Sequence, residues 1–137
     1  MLAAPKPFAP ANDVRCRAGA SQHPFVPVLP AAKRALTETN QLVIVALGSS
    51  TTAGSGASEA NSSYPAVLEA ELRRRLPGRE IRVINKGVGG QSAYDMLLRM
   101  ESDVIAEKPS LLIWQTAVND AIRDIGEEKL AKILKKG

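Results

Sequence analysis

The chain has one cysteine, one histidine and few aromatic residues among its 137 residues. A single thiol, Cys16, excludes an internal disulfide and any site built from several thiolates. With His23 as the sole imidazole, an ordinary tetrahedral metal site would have to depend on carboxylates. Aromatic residues are 4% of the chain, too few for a base-stacking platform. The sequence therefore predicts no metal and no other cofactor.

Basic residues are in excess but are not gathered into a patch. The formal net charge is +4, and the pI is near 9.5, which would favour polyanions if the charges were clustered. Arg73, Arg74 and Arg75 instead end one predicted helix, and Lys135 and Lys136 end another. Cations at these positions interact favourably with the negative end of the helix dipole. We interpret them as solvated helix ends and predict no nucleic-acid partner.

Long apolar runs are also missing. No stretch approaches the ~18 residues required for a transmembrane segment. The first seven residues lack the apolar core of a signal peptide. We expect a soluble protein of unknown compartment, and export from a misplaced start is the alternative.

Proline divides the chain into two parts. Six of the nine prolines fall in the first thirty residues, which also have no sustained apolar periodicity. Such a stretch is typical of irregular chain, although residues 31–36 are compatible with a turn of helix. The sequence predicts a largely irregular N-terminal arm over residues 1–40 and a folded domain over residues 41–137.

Within the domain, short β-branched runs alternate with segments of helical periodicity. Strands are predicted at residues 42–47, 81–84 and 111–114, and helices at residues 64–76, 93–108 and 122–136. The first run is apolar throughout, as expected for a strand buried on both faces. This alternation is typical of βαβ units, so the predicted fold class is α/β with a parallel sheet.

Polar or glycine-rich loops follow each of the three strands, at residues 48–54, 85–91 and 116–120. In an open parallel sheet these loops converge at the carboxyl ends of the strands, where ligands bind. The first loop begins Gly48-Ser49-Ser50, the second contains Gly87, Gly89 and Gly90, and the third contains Asn119-Asp120. This ordered set, with Ser63-Tyr64-Pro65 and Ile113-Trp114-Gln115 as flanking similarity, resembles the SGNH/GDSL-type esterases over roughly residues 41–125.

The resemblance implies a fold, an activity and three site residues. The fold is the flavodoxin-like three-layer α/β/α sheet of SGNH hydrolases, with strand order 2-1-3, truncated after about three strands. The activity is hydrolysis of small or carbohydrate-linked acyl esters. By the same resemblance Ser50 is the nucleophile, Gly90 offers a backbone N–H to the oxyanion, and Asn119 offers its side-chain amide. A side chain at Gly90 would crowd the acyl group.

Two departures from the family pattern affect these loops. Ser49 replaces the usual Asp, which changes the internal hydrogen bonds of the first loop but leaves the nucleophile in place. Ala117 and Val118 stand where the family has glycine and a small or hydroxylated residue, so we expect the Asn119 loop to shift and narrow the site. Plainer interpretations stay open: Ser50 as a helix cap or turn residue, and Asn119-Asp120 as an ordinary turn or cap.

The Asp-His pair that activates serine in such hydrolases has no counterpart after Asn119. His23 precedes Ser50 by 27 residues and is better interpreted as a solvated arm residue. A serine hydroxyl is a poor nucleophile without a base. We therefore expect a truncated family member with impaired activity. An edge left unpaired on the third strand would then favour self-association.

Two other functions compete with ester hydrolysis. The first is a noncatalytic binding or interaction module that retains the half-site, namely Ser50, Gly90 and Asn119 without the Asp-His pair. The second is a nucleotide or phosphate binder, because a glycine-rich loop after a first strand can cradle phosphates. The loop matches neither G-x-x-x-x-G-K-[ST] nor G-x-G-x-x-G, which weakens the second alternative.

Overall fold

The computed structural model describes residues 28–137. Its three strands are β1 (Gln41–Gly48), β2 (Glu80–Gly87) and β3 (Leu111–Trp114). Its helices are α1 (Pro30–Arg34), α2 (Ser50–Ala53), α3 (Tyr64–Arg75), α4 (Ala93–Leu98), α5 (Met100–Asp103), α6 (Val118–Ile122) and α7 (Glu127–Leu134). Every helix in this range is too short or too polar to cross a membrane.

The strands form one parallel sheet in the order β2-β1-β3. The pairing of β1 with β2 runs from Gln41 opposite Glu80 to Gly48 opposite Gly87. The pairing of β1 with β3 runs from Ile44 opposite Leu111 to Leu47 opposite Trp114. The predicted α/β class, parallel sheet and strand order are thus confirmed.

Alternate residues of the strands feed two separate cores, one on each face of the sheet. One core contains Val45, Leu47, Met96, Met100 and Val104, so α4 and α5 cover that face. The other contains Ala32, Leu42, Ile44 and Ile81, together with Leu68, Leu72 and Leu76 of α3. Because β1 lies between both layers, Val45, Ala46 and Leu47 are fully buried. The arrangement is the predicted α/β/α three-layer fold.

The helical segment before β1 belongs to this packed structure. Helix α1 continues through a π-helical turn, Ala35–Thr39, and ends at Asn40, which has a left-handed φ of 59°. Ala32 is buried and Leu36 packs on the same face of the sheet. The packed region therefore includes residues 30–39, which lie before the predicted boundary at residue 41. Most of the predicted arm lies outside the described residues.

Two predicted helices are interrupted in the structure. The segment predicted as one helix over residues 93–108 divides into α4, α5 and a 3-10 turn, Ile105–Glu107. Arg99, with φ −109° and ψ 9°, separates the first two pieces. Of the helix predicted over residues 122–136, only Ile122 lies in α6, which begins inside the predicted third loop, and the remainder starts at α7, with Asp124 and Gly126 at positive φ between the two helices. Apolar periodicity continues across both breaks, so the sequence pattern alone did not reveal them.

A capping box begins α4. The Ser92 hydroxyl accepts from the Asp95 N–H, and the Asp95 carboxylate accepts from the Ser92 N–H at 2.9 Å. The Ser92 N–H, then the Ser92 hydroxyl, holds the pKa of Asp95 below its ordinary value, with a smaller contribution from Arg123. The carboxylate therefore stabilises the fold above the unfolded-state pKa, and this stabilisation is lost as the pH falls through the lower folded-state pKa.

Ser92 lowers the pKa of Asp95 more than Arg123 does, and this difference can be tested by titration. Ser92→Ala removes the hydroxyl but keeps the backbone N–H, so it should raise the pKa of Asp95 part of the way to its ordinary value. Arg123→Ala should raise it less, because the guanidinium lies 3.9 Å from the carboxylate. Carboxyl ¹³C shifts followed by NMR over acidic pH measure both values. A larger shift in Arg123→Ala than in Ser92→Ala would contradict the assignment.

Candidate active site

Helix α2 places Ser50 directly after β1, over the carboxyl ends of β1 and β2. Its close approach depends on a pair of glycines, Gly48 and Gly87, which lie opposite each other at the end of the ladder. A Cβ at Gly87 would lie 2.1 Å from the Ala53 backbone nitrogen. A Cβ at Gly48 would lie 2.0 Å from Thr52 Oγ1. Only glycine at these two positions lets α2 pack so closely on the ends of β1 and β2. The two glycines therefore determine the position of Ser50.

The side chain of Gln115, just after β3, holds the first loop. Its Oε1 accepts from the Ser49 N–H at 3.0 Å and from the Ser49 hydroxyl at 3.1 Å. The same oxygen accepts from the Thr52 hydroxyl at 3.1 Å. Ser49 and Thr52 are buried, so these donors have an acceptor that water does not supply. The replacement of Asp by Ser49 is thus matched by an acceptor on Gln115.

The second loop follows β2 and passes beside Ser50. Val88 N–H donates to Gly48 O at 3.0 Å, which ties its start to the end of β1. A Cβ at Gly89 would lie 4.0 Å from Ser50 Cβ, so the two residues are neighbours. Gly90 is exposed, with a φ of 77°, and a Cβ there would meet no atom within 4 Å. Within residues 28–137, the amides of Gly89, Gly90 and Gln91 donate to no protein acceptor.

Arg99 joins the ends of the two strands to this loop. Its guanidinium donates to Lys86 O at 2.9 Å, to Gly48 O at 3.3 Å and to Gln91 Oε1 at 2.7 Å. It also pairs with Asp103 at 2.6 Å. The Arg99 side chain is 15% exposed, so this cation is largely enclosed by its hydrogen-bond partners. It braces the base of the second loop.

The third loop begins α6 and turns Asn119 toward the second loop. Asn119 Nδ2 donates to Gln91 O at 2.8 Å, which uses one of its two N–H groups. Asp120 is 1% exposed, and its Oδ2 accepts from the Ala93 N–H at 2.8 Å. Arg123 donates to Gly90 O at 2.7 Å. The structure thus connects Ser50, Gly90 and Asn119 through residues 88–93, which are the end of the second loop and the start of α4.

Ala117 stands before α6 with a left-handed φ of 77°. The left-handed conformation costs an L-residue roughly 1–2 kcal/mol, and glycine avoids this cost but loses more chain entropy on folding. We expect Ala117→Gly to raise the free energy of unfolding by about 0.5 kcal/mol. Chemical denaturation measures it. Ala70→Gly, on an exposed turn of α3, is the control and should lower stability by about 1 kcal/mol. Destabilisation by both variants would contradict the argument.

Four residues that support the site were not predicted to do so: Arg99, Gln115, Asp120 and Arg123. Each acts on a loop distant in sequence, so no local pattern marks its role. Gln115 was noted only as flanking similarity and Asp120 only as a turn or cap residue. His23 lies outside the described residues. Within residues 28–137, no group of three or more Asp, Glu, His or Cys residues is arranged to hold a metal ion.

Comparison with known proteins decides the family. A model of the non-GDSL lipase-like family matches residues 15–137. The chain belongs to that family.

Several similar proteins are esterases. The chain is 37% identical over 62 residues to the acetylxylan esterase of Geobacillus stearothermophilus, which covers 45% of this chain and 28% of that protein. It superposes on the SGNH-hydrolase family esterase AlinE4 with a TM-score of 0.62 and 33% identity, covering 70% of this chain and 50% of that one. A two-domain esterase active on acetylated mannans gives 0.67 and 25% identity, covering 77% and 28%.

The chain therefore spans half or less of the length of these matches. They establish the fold and the relationship to SGNH-hydrolase esterases. This confirms the resemblance predicted from the three loops.

Proposed function

We propose that this chain carries the nucleophile and oxyanion half of a serine ester hydrolase, with Ser50, Gly90 and Asn119 in the roles that the loops predict. The observation that carries the proposal is the set of backbone N–H groups beside Ser50 without a protein acceptor among the described residues. Neighbouring amides at Ser92, Ala93 and Asp95 all have side-chain acceptors. An oxyanion that develops at a serine is stabilised by nearby N–H groups that have no other acceptor.

The chemistry follows from the positions of these groups. Ser50 Oγ attacks the ester carbonyl, its proton leaves to a base, and the carbonyl oxygen becomes an oxyanion. The Gly90 N–H and the second N–H of Asn119 Nδ2 stabilise that charge. The Ser50 amide, in the first turn of α2, has no intrahelical acceptor and adds a third donor.

A general base must come from outside residues 28–137, because that range contains no histidine. The carboxylates near the third loop, such as Asp124 and Glu127, do not substitute for a neutral imidazole at neutral pH. We therefore propose that the chain alone reacts slowly and that an imidazole supplied in solution accelerates it. The added base would accept the Ser50 proton, and nothing else in the site would need to change.

The proposed substrates are small or carbohydrate-linked acyl esters. Two similar proteins, an acetylxylan esterase and an esterase active on acetylated mannans, act on acetylated polysaccharides. The exposed Gly89 and Gly90 offer little obstruction to a large alcohol portion such as a sugar. A small acyl group bound next to them would meet backbone rather than side chains.

A fluorophosphonate probe tests the proposal on the full chain. We expect slow covalent labelling at Ser50, located by peptide mass spectrometry and absent in Ser50→Ala. Imidazole should raise the labelling rate in proportion to its unprotonated fraction. A buffer of equal ionic strength that contains no nitrogen base should leave the rate unchanged. No labelling with or without imidazole would reject the nucleophile and support the noncatalytic binding module.

We also propose that the chain self-associates through the outer edge of β3. Among the described residues, β3 pairs with β1 only, and an unpaired strand edge favours pairing with another chain. Sedimentation equilibrium over a wide concentration range is the measurement. A monomer at every concentration would contradict this proposal.

A further inference from the structure

One turn of α6 holds three successive peptide units of the second loop. Arg123 donates to Gly90 O at 2.7 Å, in the 90–91 peptide. Asn119 Nδ2 donates to Gln91 O at 2.8 Å, in the 91–92 peptide. Asp120 Oδ2 accepts from Ala93 N–H at 2.8 Å, in the 92–93 peptide. Each peptide plane thus has its own side-chain partner from residues 119–123.

These contacts differ in burial and in strength. Asp120 and Ala93 are 1% and 0% exposed, so their charge-assisted bond lies away from water. Asp120 Oδ1 is buried without a partner among the described residues, so the Ala93 amide is this carboxylate's protein contact there. Arg123 is 53% exposed, and its bond to Gly90 O is also charge-assisted. Asp120 anchors the α4 end of the loop, and Arg123 holds the peptide that directly follows the Gly90 N–H.

The Gly89–Gly90 peptide, which carries the Gly90 N–H, lies between two anchors. Before it, Val88 N–H is tied to Gly48 O at 3.0 Å. After it, Gly90 O is held by Arg123. Between the anchors stand two glycines, whose backbones are the most permissive of any residue. Without the second anchor, the nearest remaining tie after Gly90 is the bond from Asn119 to Gln91 O, one peptide farther along.

We propose that Arg123 and Asp120 are positioning residues that aim the Gly90 N–H toward the oxyanion at Ser50. The role in catalysis depends on the proposed function, but the control of loop geometry does not. Arg123 acts on the peptide next to the donor, and Asp120 fixes the α4 end of the same loop. Neither side chain needs to touch the substrate.

NMR relaxation of the ¹⁵N amides tests the positioning without any reaction. In the wild-type chain, we expect order parameters near 0.85 for Gly90 and Gln91, falling below about 0.6 in Arg123→Ala. Arg123→Lys, which keeps a donor, should recover part of the order. Arg75→Ala is the matched control, since Arg75 is an exposed arginine whose partner among residues 28–137 is Glu71. Unchanged order at residues 89–91 in both Arg123→Ala and Asp120→Asn would overturn the proposal.

Labelling kinetics with imidazole then test the consequence for Ser50. Misplacement of a catalytic donor by about 1 Å can cost roughly 100-fold in rate. We expect Arg123→Ala to lower the maximal labelling rate by roughly 10- to 100-fold with little change in probe affinity, and Arg123→Lys to restore part of it. A wild-type rate in a variant with a mobile loop would refute the positioning role. If wild-type Ser50 is not labelled at all, the proposed nucleophile fails, while the relaxation data still decide the loop geometry.

Discussion

Alanine at position 87 is expected to lower the free energy of unfolding by about 3 kcal/mol, near the upper end for an overpacked site. The added Cβ would lie 2.1 Å from the Ala53 nitrogen and 2.5 Å from its Cα. These are backbone atoms of α2, so no side-chain rotation relieves the clash. The helix that carries Ser50 must move away from the strand ends or the strands must separate.

Urea denaturation of Gly87→Ala beside Gly89→Ala separates this effect from the general cost of replacing glycine. A Cβ at Gly89 makes only an ordinary 4.0 Å contact with Ser50 Cβ, and its φ lies outside the left-handed range. We expect Gly89→Ala to stay within about 0.5 kcal/mol of wild type. Equal stability of the two variants would mean that α2 does not depend on the close approach at Gly87.

Removal of the Asn119 amide is expected to slow imidazole-assisted labelling of Ser50 by roughly 100- to 1,000-fold, the usual cost of losing one oxyanion donor. Asn119→Ala removes the proposed donor and also the bond to Gln91 O. Loss of the bond to Gln91 O loosens the loop that carries Gly90. The one substitution therefore removes the Asn119 donor and also misplaces the Gly90 N–H. The maximal rate should fall while probe affinity changes little.

Two comparisons give this prediction its controls. Asn119→Asp keeps the size of the side chain but places negative charge near the oxyanion, so it should be at least as slow as Asn119→Ala. Asn61→Ala, at an exposed asparagine, should label at the wild-type rate. Asn119→Ala that labels as fast as wild type, with an intact fold by circular dichroism, would remove Asn119 from the proposed site.

The parts of the fold that the sequence predicts are those with strong periodic signals. The run at residues 42–47 is apolar at every position because β1 is covered on both faces by α1, α3, α4 and α5. The strand order followed from the family resemblance of the three loops. Elements whose ends depend on single backbone conformations were not predicted. Arg99 has no sequence feature that marks a break, whereas the break at Asp124 is followed by Gly126, a breaker signal that the apolar periodicity outweighed.

In the candidate site too, some residues were predicted from the sequence and others were not. The resemblance predicted Ser50, Gly90 and Asn119, and the structure connects their loops, but their chemical roles remain proposals. The supporting contacts depend on tertiary geometry: Gln115 Oε1 accepts three donors from the first loop, and Asp120 accepts an amide of α4. Polar residues at such distances along the chain have many alternative partners, so sequence alone does not select among them.

We propose that the ends of the three strands direct the Ser50 hydroxyl, the Gly90 amide and the Asn119 carboxamide at one reacting atom. A crystal structure of the full chain after reaction with a small alkyl fluorophosphonate tests it most directly. We expect phosphorus on Ser50 Oγ, with its phosphoryl oxygen about 3 Å from both Gly90 N and Asn119 Nδ2. An adduct whose oxygen faces solvent, or one formed at another residue, would contradict it.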